Sequence, residues 1–220
     1  MGTVFGTQYP SLLIALALVA GLGHLFAVLT ERARLRVGLK PVPVLCLLVW
    51  VWSASGAYAG LISAGLLLSA AGDVLLEGGG ERSFMTGLVA FLGAHVAYIT
   101  AFTSRTTALE PWWAVPVAVY GGAVLAWLWP HIASLRMAVL LYVVLLCAMV
   151  WRAAVFSFAP AGPGGAWVAA AGAALFALSD TLLAHARFVR SWRYSHVAVM
   201  IFYWMGQLGI ACSVFTAPKG

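Results

Sequence analysis

The stretch Ser69-Ala70-Ala71-Gly72-Asp73-Val74-Leu75-Leu76 sets an acid inside an otherwise apolar run, and the pattern returns as Ala177-Leu178-Ser179-Asp180-Thr181-Leu182-Leu183. In both, a small residue precedes Asp, and a Leu pair follows after one further residue. These are the only two aspartates in the chain. An ionised carboxylate is costly to bury in hydrocarbon unless it is paired or hydrated, so an intramembrane acid is by default a functional-site candidate. Two placements of one design strengthen that reading.

The surroundings of the motif define the fold class. Of 220 residues, 64% are hydrophobic and 8% charged, whereas a soluble domain carries about 25% charged residues. A helical span needs about 20 apolar residues, and such runs fall at residues 11–29, 41–58, 61–77, 84–103, 113–129, 135–157, 165–184 and 195–215. The expectation is an all-α, polytopic membrane helix bundle with eight transmembrane helices, forming a single transmembrane domain over residues 1–220. In such a protein the net charge of +6 is the cytoplasmic surplus of Lys and Arg, so no nucleic-acid partner is implied. Cys46, Cys147 and Cys212 fall inside spans without a paired spacing, which argues against a disulfide framework. The first ten residues hold no Lys or Arg, so the first span is expected to be retained as a helix rather than cleaved as a signal.

Along the chain, Glu31-Arg32-Ala33-Arg34-Leu35-Arg36 reads as a strongly basic loop, and Pro41 after Lys40 suits the first turn of the second span. A link at Gly56 to Gly60 leads into the Asp73 span. In the fourth span Phe84, Gly87, Phe91, His95 and Tyr98 recur at three- or four-residue steps and share one helical face. Pro160-Ala161-Gly162-Pro163-Gly164-Gly165 is a turn signal. The seventh span is dense in Ala and Gly, which permits close helix approach. In the eighth, His196, Met200, Tyr203 and Gln207 share a face.

Loops 1, 3, 5 and 7 collect Arg32, Arg34, Arg36, Lys40, Arg82, Arg136, Arg187, Arg190 and Arg193, against Arg105, Arg152 and Lys219 on the other side. The odd loops are therefore expected in the cytoplasm. Asp73, Glu77, Lys40 and Asp180 lie about a turn or so from that surface at a rise of about 1.5 Å per residue. His95, Tyr98, Tyr203 and Gln207 lie deeper. The two motifs, 107 residues apart, fit either a parallel four-plus-four repeat or coincidence.

Two carboxylates in a dry site suit a division of labour, one protonated as general acid and one ionised as general base. Alternatively, Asp73 and Asp180 are architectural, paired with Lys40, an arginine or a helix terminus. Lys40 would clamp a phosphate, tune an aspartate or simply snorkel. His95 would orient water or a headgroup, or bond a neighbouring helix. Tyr98, Tyr142, Tyr203 and Gln207 are substrate-binding candidates on stripes that equally serve packing. Glu77, beside three glycines, reads as a solvated interfacial acid. The five histidines are scattered singly, which disfavours a zinc-dependent lipid amidase or hydrolase. A proton-coupled lipid or small-solute transporter is the non-enzymatic alternative.

Lys40-Pro41, the Leu-rich run ending Gly72-Asp73, the stripe Phe84 to Gly87 to Phe91 to His95 to Tyr98, Gly172 to Phe176 to Ser179-Asp180 with Leu182-Leu183-Ala184, and Tyr203 to Gln207 together resemble the YhhN-like lysoplasmalogenases. The likeness runs in order over about residues 40 to 210, with Gly206 where an alanine is expected. It implies a membrane hydrolase that cleaves the vinyl ether bond of a lysophospholipid partner, lysoplasmenylethanolamine or lysoplasmenylcholine, without metal or other cofactor. The expected products are a fatty aldehyde and the glycerophospho-headgroup. It further implies Asp73 and Asp180 as catalytic residues, with Lys40, His95, Tyr98, Tyr142, Tyr203 and Gln207 around the substrate. The expected location is a bacterial inner membrane, with the site toward the cytoplasmic leaflet.

Overall fold

Apolar residues on every side of a helix leave its backbone no partner but itself, and the fold follows that rule. The computed structural model describes residues 8–158 and 166–216, and among these every regular element is helical. Among the described residues, eight helical segments are long and apolar enough to cross a membrane. The turn signal at 160–165 and Lys219 lie outside the described residues. The chain divides into two compact units, residues 1–94 and 95–220.

In the first unit, α1 (Gln8–Leu29) closes through Glu31, whose φ of 57° is left-handed, with the Arg32 N–H donating to the Ala27 carbonyl at 2.9 Å. Then α2 (Ala33–Leu39) and α3 (Val42–Trp52) follow as one apolar segment, Ala33–Trp52. The expected basic loop is therefore helical, and the second span starts and ends earlier than residues 41–58. Leu35 and Leu39, one turn apart, share a side of α2, while Arg36 turns toward Glu77. The break between α2 and α3 has a covalent cause: Pro41 and Pro43 have no N–H for the carbonyls one turn earlier.

Gly56, at φ 106°, opens α4 (Ala57–Leu76), so Gly60 sits inside the helix rather than in a link. Gly79 and Gly80, at φ 71° and 78°, turn the chain into α5 (Gly80–Arg105). Within this unit α4 and α5 meet at two glycines. A Cβ on Gly72 would lie 2.6 Å from the Phe91 ring, and one on Gly87 would lie 2.7 Å from the Leu76 side chain.

The second unit takes His95–Arg105 of α5 and adds α6 (Ala114–Leu128), α7 (Arg136–Phe158), α8 (Trp167–Ala184) and α9 (Ser195–Thr216). The closest pair is α8 with α9. A Cβ on Gly172 would lie 2.6 Å from the Ile210 backbone nitrogen, and one on Gly206 would lie 2.8 Å from that of Phe176. Backbones in such contact leave no room for any side chain. Arg152 of α7 pins the turn after α5: Nε donates to Thr103 Oγ1 at 3.0 Å, Nη1 to the Ala108 carbonyl and Nη2 to the Thr106 carbonyl, both at 2.7 Å. Beyond Asp180, the helix widens into a single π turn, His185–Val189.

Candidate active site

Each unit carries one of the two aspartates. In the second, Asp180 stands one turn before the end of α8, its side chain 10% exposed. The Tyr142 hydroxyl of α7 donates to Asp180 Oδ2 at 2.6 Å. His95 Nε2 lies 3.8 Å from the same oxygen, beyond a direct hydrogen bond. Among the described residues no Lys or Arg is within ion-pair distance of Asp180.

Rings fix the histidine. His95 meets Tyr142 edge-on at 5.0 Å and Phe176 at 5.2 Å, and Phe176 in turn meets Tyr203 at 5.6 Å. Aromatic pairs favour such edge-to-face geometry because the ring edge is positive and the face negative. One turn further along α5, the Tyr98 hydroxyl donates to Gln207 Oε1 at 2.7 Å. Both residues are fully buried, and Gln207 Nε2 has no hydrogen-bond partner among the described residues. An unpaired buried amide N–H is costly. The structure thus gathers His95, Tyr142 and Asp180 in one cluster, Tyr203 against its Phe176 wall, and Tyr98 with Gln207 in a second pair.

In the first unit, Asp73 is buried near the end of α4. Lys40 belongs to this unit too, and its Nζ donates to Glu77 Oε1 at 2.9 Å. Glu77 Oε2 accepts from Arg36 Nε at 2.8 Å. The Glu77 side chain is only 5% exposed, so the expectation of a solvated interfacial acid is overturned: two cations from the α2 segment enclose it. His24 of α1 anchors that segment, its Nδ1–H donating to the Arg36 carbonyl at 3.0 Å. Ser69, Asp73 and Glu77 follow at four-residue steps on one face of the α4 rod. The Ser69 hydroxyl is buried with no hydrogen-bond partner among the described residues.

Sequence reasoning passed over Arg36, Ser69 and Tyr120. Tyr120 of α6 bonds the Ala177 carbonyl at 3.1 Å and Thr181 Oγ1 at 2.5 Å, bracing α8 beside Asp180. A lone tyrosine in an apolar span carries no signal of this kind. Ser69 did carry one, its four-residue spacing from Asp73. The described residues hold no group of three His, Cys, Asp or Glu side chains placed to ligate a metal ion.

Residues 35–214 match the YhhN family. The lysoplasmalogenase TMEM86B of Homo sapiens is 34% identical over 182 residues, which cover 81% of this chain and 75% of that protein. Its counterpart in Sus scrofa is 34% identical over 186 residues, 82% of this chain and 75% of the relative. The Mus musculus protein of the same name is 29% identical over 223 residues, covering 98% and 93%. No solved structure matches the chain. A family match reaching from α2 into α9, joined to relatives similar over most of their length, means that this chain belongs to the YhhN family.

Proposed function

We propose that this protein is a multi-pass membrane lysoplasmalogenase, hydrolysing the vinyl ether of a lysoplasmalogen to a fatty aldehyde and a glycerophospho-headgroup. The observation that carries the chemical reading is the company Asp180 keeps. An architectural carboxylate in hydrocarbon is paired with a cation. Asp180 instead receives a neutral hydroxyl on Oδ2, which leaves Oδ1 to hold and deliver a proton.

Vinyl ethers are hydrolysed by protonation at carbon. Asp180 gives its proton to the alkenyl β-carbon, whose π electrons form the new C–H bond, and the α-carbon becomes an oxocarbenium ion. Asp73 accepts a proton from water as the water oxygen bonds to that α-carbon. The hemiacetal then collapses: its hydroxyl proton returns to Asp180, the bond from the α-carbon to the glycerol oxygen breaks, and Asp73 protonates the leaving oxygen. One water is consumed and both acids are restored. His95 and Tyr142 position the reacting groups, Gln207 Nε2 offers a donor, and Tyr203 and Tyr98 line the alkenyl chain. Lys40 contributes its charge through Glu77.

We place the reaction in a bacterial inner membrane at the cytoplasmic leaflet; the nine cations of the odd loops support the cytoplasmic side. The test is aldehyde release from a lysoplasmalogen by the purified protein in detergent, where a transporter makes no product. Asp73→Asn and Asp180→Asn are each expected to lower turnover by about 100-fold or more while the protein stays folded. Turnover near that of the unaltered protein in either variant refutes the assignment.

A further inference from the structure

The mechanism uses the Lys40 and Glu77 pair but leaves the third member of that charge cluster, Arg36, without a role. Glu77 spends both oxygens on cations, Oε1 on Lys40 and Oε2 on Arg36. The two cations that meet Glu77 differ in exposure. The Lys40 side chain is 6% exposed and the Arg36 side chain 39%. Of the two, Arg36 is the one a ligand can reach, and it offers a fork. Its Nε serves Glu77, while both terminal amino groups lie outside that pair, in the geometry that matches two oxygens of a phosphate.

The position fits the substrate. Glu77 comes four residues after Asp73, one turn on the same face of the α4 rod, or about 6 Å along it. In a lysoplasmalogen the ether oxygen and the phosphorus are separated by the glycerol carbons and one ester oxygen, a comparable extended length. We propose that Arg36, oriented by the buried Lys40 and Glu77 pair, binds the phosphodiester of the lysolipid and so sets the vinyl ether at the depth of Asp73. Arg36 is the substrate-binding residue here and Glu77 a positioning residue. The Arg36 backbone is itself held by His24, and Gly23 lets α1 approach closely, since a Cβ there would stand 2.9 Å from Leu39.

This assignment rests on the lysoplasmalogenase reading, and its test avoids the chemistry of that reading. The probes are a saturated 1-O-alkyl lysophosphoethanolamine, which has no vinyl ether to cleave, and the matching 1-O-alkylglycerol, which lacks the phosphate. Binding is measured on the whole purified protein in detergent. Arg36→Ala is expected to weaken the phosphate-bearing probe by about tenfold or more relative to the alkylglycerol. Arg36→Gln reaches about as far as the arginine Nε, keeps a donor for Glu77 there and loses the fork, so it should show the same split, which covers a failure of the alanine variant to fold. Arg36→Lys should recover part of the loss, since it restores charge without the fork. Equal weakening of both probes, or of neither, overturns the proposal. Inorganic phosphate binding as tightly as the lysolipid also overturns it, by making the site one for a free anion. If the split is seen and the unaltered protein releases no aldehyde, the phosphate site stands and the hydrolase reading falls. If aldehyde is released without the split, the reverse holds.

Discussion

Tyr142 reaches Asp180 from a neighbouring helix, and its hydroxyl donates the one direct hydrogen bond that aspartate receives from a side chain among the described residues. Tyr142→Phe removes only that donor and keeps the ring against His95. Turnover is expected to fall by about 10- to 100-fold, while loss of the hydrogen bond, worth about 1 kcal/mol between neutral partners, lowers the unfolding temperature only slightly. Aldehyde-release kinetics beside a thermal melt decide it; a large melting shift with normal turnover would reduce Tyr142 to a packing role. At this scale the sequence was legible where hydrocarbon makes chemistry expensive. A lone aspartate in an apolar run announces itself, whereas Glu77 did not, because three glycines beside it imitate an exposed turn and its partners sit about forty residues away on α2. The same distance concealed Arg36, which reads as one more loop cation until α2 is seen to be a helix.

Elements pack here by removing side chains. On α8 and α9 the atoms facing Gly172 and Gly206 are backbone, which cannot move aside as a flexible side chain can. Gly172→Ala and Gly206→Ala are each expected to cost about 1–3 kcal/mol through overpacking. Gly122→Ala in α6, where a Cβ would meet nothing within 4 Å, should be neutral or stabilise by up to about 1 kcal/mol. Denaturation of the three variants in one detergent gives the comparison, and equal effects would deny the close α8 and α9 contact. The alanine expected before Gln207 on resemblance is a glycine here, and its nearest neighbours belong to Phe176 and Gly172.

The ion cluster of α2 and α4 makes a second prediction at this scale. Glu77→Gln leaves Lys40 buried without its counter-charge, expected to cost about 3–5 kcal/mol, whereas Arg36→Ala removes a half-exposed partner worth under about 1 kcal/mol. The ranking of their unfolding midpoints checks the arrangement; an equal loss would mean that Lys40 is solvated. Helix ends were the least legible feature. The basic residues of α2 hid a helix, since hydropathy falls wherever arginines cluster even when the backbone continues. The repeated aspartate motif also ends early: one turn after Asp73 comes Glu77, and one turn after Asp180 comes Ala184. Lys40 pairs with Glu77 while Arg136 lies over the Trp129 ring, so the cations ahead of the even spans do different work.

For the molecule as a whole, the number of spans was written in composition, because hydropathy counts helices, while the loop charges give an expectation of which side is which. The first turn of α5, just after the α4 to α5 turn, carries Glu81 and Arg82, and the turn from α5 to α6 carries Leu109, 65% exposed. Under the charge rule the first faces the cytoplasm and the second the opposite side. In a protein whose Cys46, Cys147 and Cys212 are replaced by alanine or serine, a single cysteine at position 81 should resist a membrane-impermeant maleimide in intact cells and react after lysis. One at position 109 should react in both. The reversed pattern would move Asp73, Glu77 and the proposed phosphate contact to the outer leaflet, and with them the pool of lysolipid the enzyme can reach. A lysophospholipid crosses a bilayer slowly because its headgroup must leave water. Orientation therefore decides which leaflet supplies the substrate, and lysoplasmalogen added outside intact cells should be cleaved far more slowly than the same lipid offered to inverted vesicles.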